Sequence, residues 1–242
     1  MTALNWWHGY TAAIVFASFC VFGCTMRSEP KPAKSPPEPS WQEQIEAVKQ
    51  GTADKIEVAQ QTIGDEQIAK LDGLTGLKEL LVEKSKLTDA GIASITKLNG
   101  LEHLRIRGSQ ITDEGFKQIC TIESLVRLNL PQADLTDEGL APIESLKSLE
   151  LLRIGSPRVT DAGIAKITAV KTIRWMHFID IPLTAASVKG IAELPKLESL
   201  YLDGAKISDE GYDELFKAKP NLHVHVDQKH HDRDPHGHSH SH

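Results

Sequence analysis

Seven times from position 63 the chain restarts one phrase at intervals of 24 residues, without insertion: Ile63, Leu87, Ile111, Leu135, Val159, Leu183 and Ile207. The stretch "LTDAGIASITKLNGLEHLRIRGSQ" at 87–110 is followed by "ITDEGFKQICTIESLVRLNLPQAD" and then by "LTDEGLAPIESLKSLELLRIGSPR". A repeat this strict admits few folds. A unit of 24 residues cannot bury its own aliphatic side chains, so the units must stack and bury them against one another. Only 5% of the residues are aromatic, so the shared core must be aliphatic.

Each unit has two halves. Apolar residues recur in steps of three (Ile92, Ile95 and Leu98 in the second copy), which marks one face of a short helix. The pattern then changes to alternation: Leu80/Val82, Leu104/Ile106, Leu128/Leu130, Leu152/Ile154, Met176/Phe178, Leu200/Leu202 and Val224/Val226. Alternation means a strand with one buried face. Ile56/Val58 keep the same register upstream, so about eight strands are expected. Thr88, Thr112, Thr136, Thr160 and Ser208 stand where a helix needs an N-cap, each followed by an aspartate that suits the positive end of the helix dipole.

This strand–turn–helix unit resembles the leucine-rich repeat over residues 52–228, and in particular the 24-residue bacterial repeats similar to the cysteine-containing and ribonuclease-inhibitor-like class. The resemblance implies an α/β fold: a leucine-rich repeat solenoid, or horseshoe, with a parallel sheet on the concave face and short helices on the convex face. Where that family places Asn or Cys after the strand, this chain has Ser85, Ser109, Ala133, Pro157, Ile181 and Ala205. The side-chain ladder at that turn is therefore expected to be incomplete, and the coil less regular at Ile181. The repeat domain is expected over 41–228, with a cap at 41–62 that opens on the amphipathic "WQEQIEAVKQG".

Upstream, residues 1–23 read as a signal peptide whose apolar run, 11–23, is 13 residues long, too short for a membrane span of about 20. "VFGC" resembles the lipobox of bacterial lipoproteins, which implies lipid attachment at Cys24; an uncleaved anchor over 4–23 is the alternative. Residues 24–40 carry five prolines between 30 and 39 and read as a stiff tether. At about 3.1 Å per residue it would hold the domain roughly 50 Å from the anchor. Both readings place the rest of the chain outside the inner membrane, as an exported, membrane-anchored protein of the cell envelope facing the periplasm or the outer surface; a monomer is expected.

The side chains between the strand leucines point away from the core. His103, Arg105, Arg107, Arg127, Asn129, Arg153, Trp175, His177 and Tyr201 form the candidate binding surface, with Glu79, Glu83, Asp203 and Asp227 on the outer strands. Arg, Trp and Tyr are the residue types enriched where proteins bind, which suits an acidic protein segment, a peptide or a glycan. The plainer alternative is a solvated polar face. A formal net charge of −6 argues against nucleic acid. No nucleophile elbow, H-E-x-x-H, P-loop or dinucleotide fingerprint occurs, and Cys120 reads as a small apolar helix residue, so no enzyme is expected. A regulator resembling ribonuclease inhibitor would need a cytosolic location, which the export signal contradicts.

A rival reading rests on the C-terminus. Residues 229–242 read as a disordered tail in which His230, His231, His236, His238, His240 and His242 could chelate Zn²⁺, Ni²⁺ or Cu²⁺. His223 and His225 read instead as outward residues of the last strand.

Overall fold

The computed structural model describes residues 38–234. The signal, Cys24 and most of the tether lie outside these residues, as do His236, His238, His240 and His242. Among the described residues no helix is long and apolar enough to cross a membrane.

In chain order the strands are β1 (Lys55–Val58), β2 (Ile63–Gly64), β3 (Glu79–Val82), β4 (Ser85–Lys86), β5 (His103–Ile106), β6 (Arg127–Leu130), β7 (Leu151–Gly155), β8 (Trp175–Ile179), β9 (Ser199–Asp203), β10 (His223–Val226) and β11 (Lys229–His230). One sheet of nine strands runs β1-β3-β5-β6-β7-β8-β9-β10-β11, and β2 pairs with β4 beside it. Within the large sheet β1 to β10 are parallel, and each neighbouring pair is shifted by one repeat, as in Leu104↔Leu128, Leu128↔Leu152 and Leu152↔Met176. The strand leucines therefore stack in columns on the buried side, where Leu104, Leu128, Leu152, Met176 and Leu200 are fully buried. Each buried side chain of this size contributes about 1.5–3 kcal/mol, which is why the 24-residue period is kept so strictly. The result is an α/β repeat fold.

Helix α1 (Trp41–Lys49) packs against the edge strand β1, where Gln44 bonds the Glu57 backbone. Helices α2 (Asp65–Ala69), α3 (Asp89–Ile95), α4 (Asp113–Ile119), α5 (Asp161–Ile167), α6 (Ala185–Ala192) and α7 (Asp209–Ala218) contribute the other side of the core. The fourth unit departs from the helix its periodicity predicts: Glu138–Ser145 is a 3-10 helix with Pro142 inside it. Proline removes a backbone donor and clashes with the preceding turn of an α-helix, so this copy takes the tighter winding while Leu140 and Ile143 stay buried. The N-terminal cap follows its sequence. Ser40 and Glu43 form a capping box, and Trp41, Ile45 and Val48 of α1 are buried with the core.

The aspartate after each cap does more than meet its own helix dipole. Asp65, Asp89, Asp113, Asp137 and Asp161 each accept hydrogen bonds from the backbone N–H and hydroxyl of the capping threonine one repeat on. Each carboxylate also occupies the space where a side chain would start at the glycine of the next "TDxG": a Cβ on Gly91, Gly115, Gly139 or Gly163 would lie 1.8–2.5 Å from its oxygen. Burial pushes the Asp137 carboxyl up, but the hydroxyl and amide of Thr160, the Gly163 amide and Lys166 outweigh it and hold the group below its ordinary value. The ladder stops where its residues stop: position 185 is alanine, and Gly211 packs on Ala185 instead of on a carboxylate.

At the turn after the strand, the expected gaps are seen as two short pieces. Ser85 and Ser109 share a 2.6 Å hydrogen bond, and Ser156, one residue before Pro157, both donates to and accepts from the Leu135 backbone. Just before Ile181 the backbone turns left-handed at Asp180, with φ 53°.

Two expectations need correction. The sheet has a ninth strand, and residues 229–234 are structured: β11 runs antiparallel to β10 and Asp234 is buried. Asp227 and Gln228, with φ 48° and 65°, make the tight turn between them. Positive φ at both central residues matches the twist of a two-residue hairpin.

Candidate functional site

On the outward side of the sheet the register lines up one row: Leu81, Arg105, Asn129, Arg153, His177, Tyr201 and His225, each paired with the next across neighbouring strands, and then His230 on β11. Parallel strands lie about 4.8 Å apart, so these side chains must touch or cover one another. The longer ones cover the shorter. Leu81, Asn129 and His177 are only 4%, 6% and 7% exposed, although they point away from the core. The picture of a uniformly solvated face is thus corrected.

The basic patch is also partly neutralised. Arg105 and Arg107 both pair with Glu83, and Arg127 approaches Glu79 at 3.5 Å. Arg153 differs. Among the described residues it has no carboxylate within ion-pair distance, and its Nε, like that of Arg105, is buried without a hydrogen bond. The nearby Asp203 carboxylate is held 2.8 Å from His177 Nε2. Burial, followed by the like charges of Arg107 and Arg105, pushes the Arg153 guanidinium down to about 10. It stays a cation at neutral pH, in a place where cations are disfavoured. The buried Oδ1 of Asn129, on the adjacent strand, likewise lacks a hydrogen bond. Trp175 is half-buried beneath the Arg174 guanidinium, 4.3 Å from its ring centre.

His103 adds no charge. Burial, with the Arg127, Arg105 and Lys55 charges behind it, pushes its imidazole down to about 3. Its Nδ1 lies 3.6 Å from Glu79, too far for a hydrogen bond. The unfolded chain takes up this proton near an ordinary histidine value of about 6.5, so below that value the unfolded state binds more protons and stability falls as pH falls. Burial lowers His177 and His231 as well, so each adds to the same slope. His103→Gln is expected to remove up to about 2 kcal/mol of the stability lost between about pH 7 and about pH 5, measured by urea unfolding at both. An unchanged loss in the variant would show that His103 is protonated in the folded protein.

The candidate metal ligands divide. His230 joins the sheet, whereas His231 packs on the rings of Tyr212 and Phe216, 4.3 and 5.2 Å between centres. His223 and His225, read from sequence as ordinary outward residues, come together with His230. The signal for this was present in "HVHVDQKH": alternating histidines, a two-residue turn and a returning histidine. Because Asp-Gln lacks the glycine of the usual hairpin turns, the return of the strand was not legible. Cys120 is buried, and its thiol is pushed up to about 12 by that burial, so it is no thiolate at neutral pH.

A family model described as Leucine Rich repeat matches residues 98–120. The match supports a leucine-rich repeat protein. The matched residues run through β5 and α4, one strand–turn–helix copy of the 24-residue unit. A search of curated proteins finds no significant match.

Proposed function

We propose that this protein is a binding module of the cell envelope that takes an acidic peptide segment of another protein along the outward row of its sheet. The leucine-rich repeat fits a protein-binding module in general. The observation that favours an acidic ligand is Arg153: a partly buried guanidinium, flanked by Arg105 and Arg107, without a carboxylate of its own. A ligand carboxylate would supply the missing charge and accept a bidentate hydrogen bond, the geometry for which arginine is suited. His177 and Tyr201 continue the row and would meet the flanking side chains of the segment. The apolar run at 11–23 and Cys24 support placement at a membrane surface by a lipid anchor.

Selection of peptides from a random display library on the purified domain tests the reading. Enrichment of Asp and Glu is expected, and Arg153→Ala should lose the selected peptides by about tenfold or more, the range for a charged hydrogen-bonded pair. Peptides without acidic bias, held equally well by Arg153→Ala, would contradict it.

A further inference from the structure

At the end of the same row lies a second arrangement, independent of the peptide reading. We propose that His223, His225 and His230 bind one divalent transition ion of the zinc class, with the buried Asp234 orienting two of the three ligands.

Sequence and register place the ligands. His223 and His225 are two residues apart on β10 and so share a face, and the antiparallel pairing sets His230 directly opposite His225. One ligand nitrogen from each lies within 4.8 Å of the other two, and the Nε2 atoms of His223 and His225 are 2.8 Å apart. Around a tetrahedral zinc with bonds of about 2.0–2.1 Å, ligand nitrogens stand about 3.3 Å apart. The 2.8 Å separation lies below that value and the 4.8 Å limit above it, so rotation of the rings is the adjustment that a bound ion requires.

The tautomers are set from behind. Asp234 Oδ2 lies 3.0 Å from His223 Nδ1 and 3.4 Å from His230 Nδ1, and it accepts the Val224 N–H at 2.9 Å. A carboxylate facing Nδ1 keeps the proton there and leaves the Nε2 lone pair for a metal, the pattern by which carboxylates orient metal-bound histidines. Asp234 is itself only 1% exposed. A carboxylate so buried is costly unless positive charge compensates it, and an ion on the two imidazoles would supply that charge through them. All three histidines are half-buried, and the Tyr201 ring stacks on His225 at 4.4 Å, closing one side while leaving the site reachable. An all-imidazole set suits zinc, copper or nickel and not calcium or magnesium, which prefer oxygen. Three protein ligands leave a fourth position for water.

The test must separate this site from the histidines that follow it. In the full chain, His236, His238, His240 and His242 are replaced together by Gln, and Zn²⁺ is titrated against a chromophoric chelator. One tight equivalent is expected to remain, and to disappear when His225→Gln is added. Asp234→Asn in the same background should weaken binding about 10–100-fold while stoichiometry is kept. Co²⁺ added to the tail-substituted protein, with the site itself unaltered, should give the intense visible bands of tetrahedral nitrogen ligation, so the outcome does not depend on any site variant folding. Loss of all tight Zn²⁺ binding with the tail histidines, its survival in His225→Gln, or a weak octahedral Co²⁺ spectrum would each overturn the proposal.

Discussion

Gly139→Ala is expected to destabilise the domain by about 2–4 kcal/mol, far more than a helix propensity scale would suggest for a change that normally favours helix. The reason lies one repeat earlier. A Cβ at 139 would sit 1.8 Å from Asp113 Oδ1 and 2.1 Å from its Cγ. Relief requires Asp113 to leave Thr136, whose N–H and hydroxyl it accepts at 2.8 and 2.6 Å. Asp113→Ala alone should cost about 1–3 kcal/mol, because the partly buried Thr136 amide loses its acceptor. The double variant should cost clearly less than the sum of the two, since the methyl group then occupies space the carboxylate has vacated. Chemical unfolding of the four proteins measures this. Additive costs, or a Gly139→Ala variant within about 0.5 kcal/mol of the parent, would mean that the aspartate ladder does not set the spacing of the repeats.

Leu128→Ala should cost about 2–5 kcal/mol through the cavity it leaves. Leu128 is fully buried and paired in register with Leu104 and Leu152, so neither neighbour can move into the space without leaving its own column. Arg127→Ala, one residue away on the other face, should cost no more than about 1 kcal/mol, because its ion pair with Glu79 is long and partly solvated. Thermal unfolding of the two variants compares the faces directly. Equal and severe losses would place both side chains in the core and invert the strand.

The contrast between these sites shows what a sequence of this kind makes legible. Strand register and buried columns were readable because alternation and the 24-residue period act on every copy at once, and Leu128 could be assigned to the core from spacing alone. The role of Asp113 was only half readable. Its place after Thr112 signals a helix start, but its second partner, Thr136, lies 23 residues on and becomes its neighbour only when the repeats stack. The same holds for the outward face. Glu83 seemed to belong to an acidic margin, yet β3 adjoins β5, and a carboxylate one strand away from Arg105 and Arg107 pairs with both. That pairing leaves Arg153, among the described residues, without a carboxylate at ion-pair distance, although the charges of Asp203 and Glu83 still favour its cationic form. At the C-terminus the repeat no longer guides the reading: β11 reverses direction, and the histidine cluster depends on a hairpin that no repeat unit encodes.

Arginine Nε–H resonances of ¹⁵N-labelled protein, followed while a selected acidic peptide is added, report on the outward row most directly. The Arg153 signal is expected to move most, with smaller shifts at Arg105 and Arg107 as their shared hold on Glu83 adjusts, while Arg158, paired with Asp134 at 2.8 Å, stays in place. Largest shifts at Arg158, with Arg153 unmoved at saturation, would put the ligand elsewhere on the protein and contradict binding along the outward row.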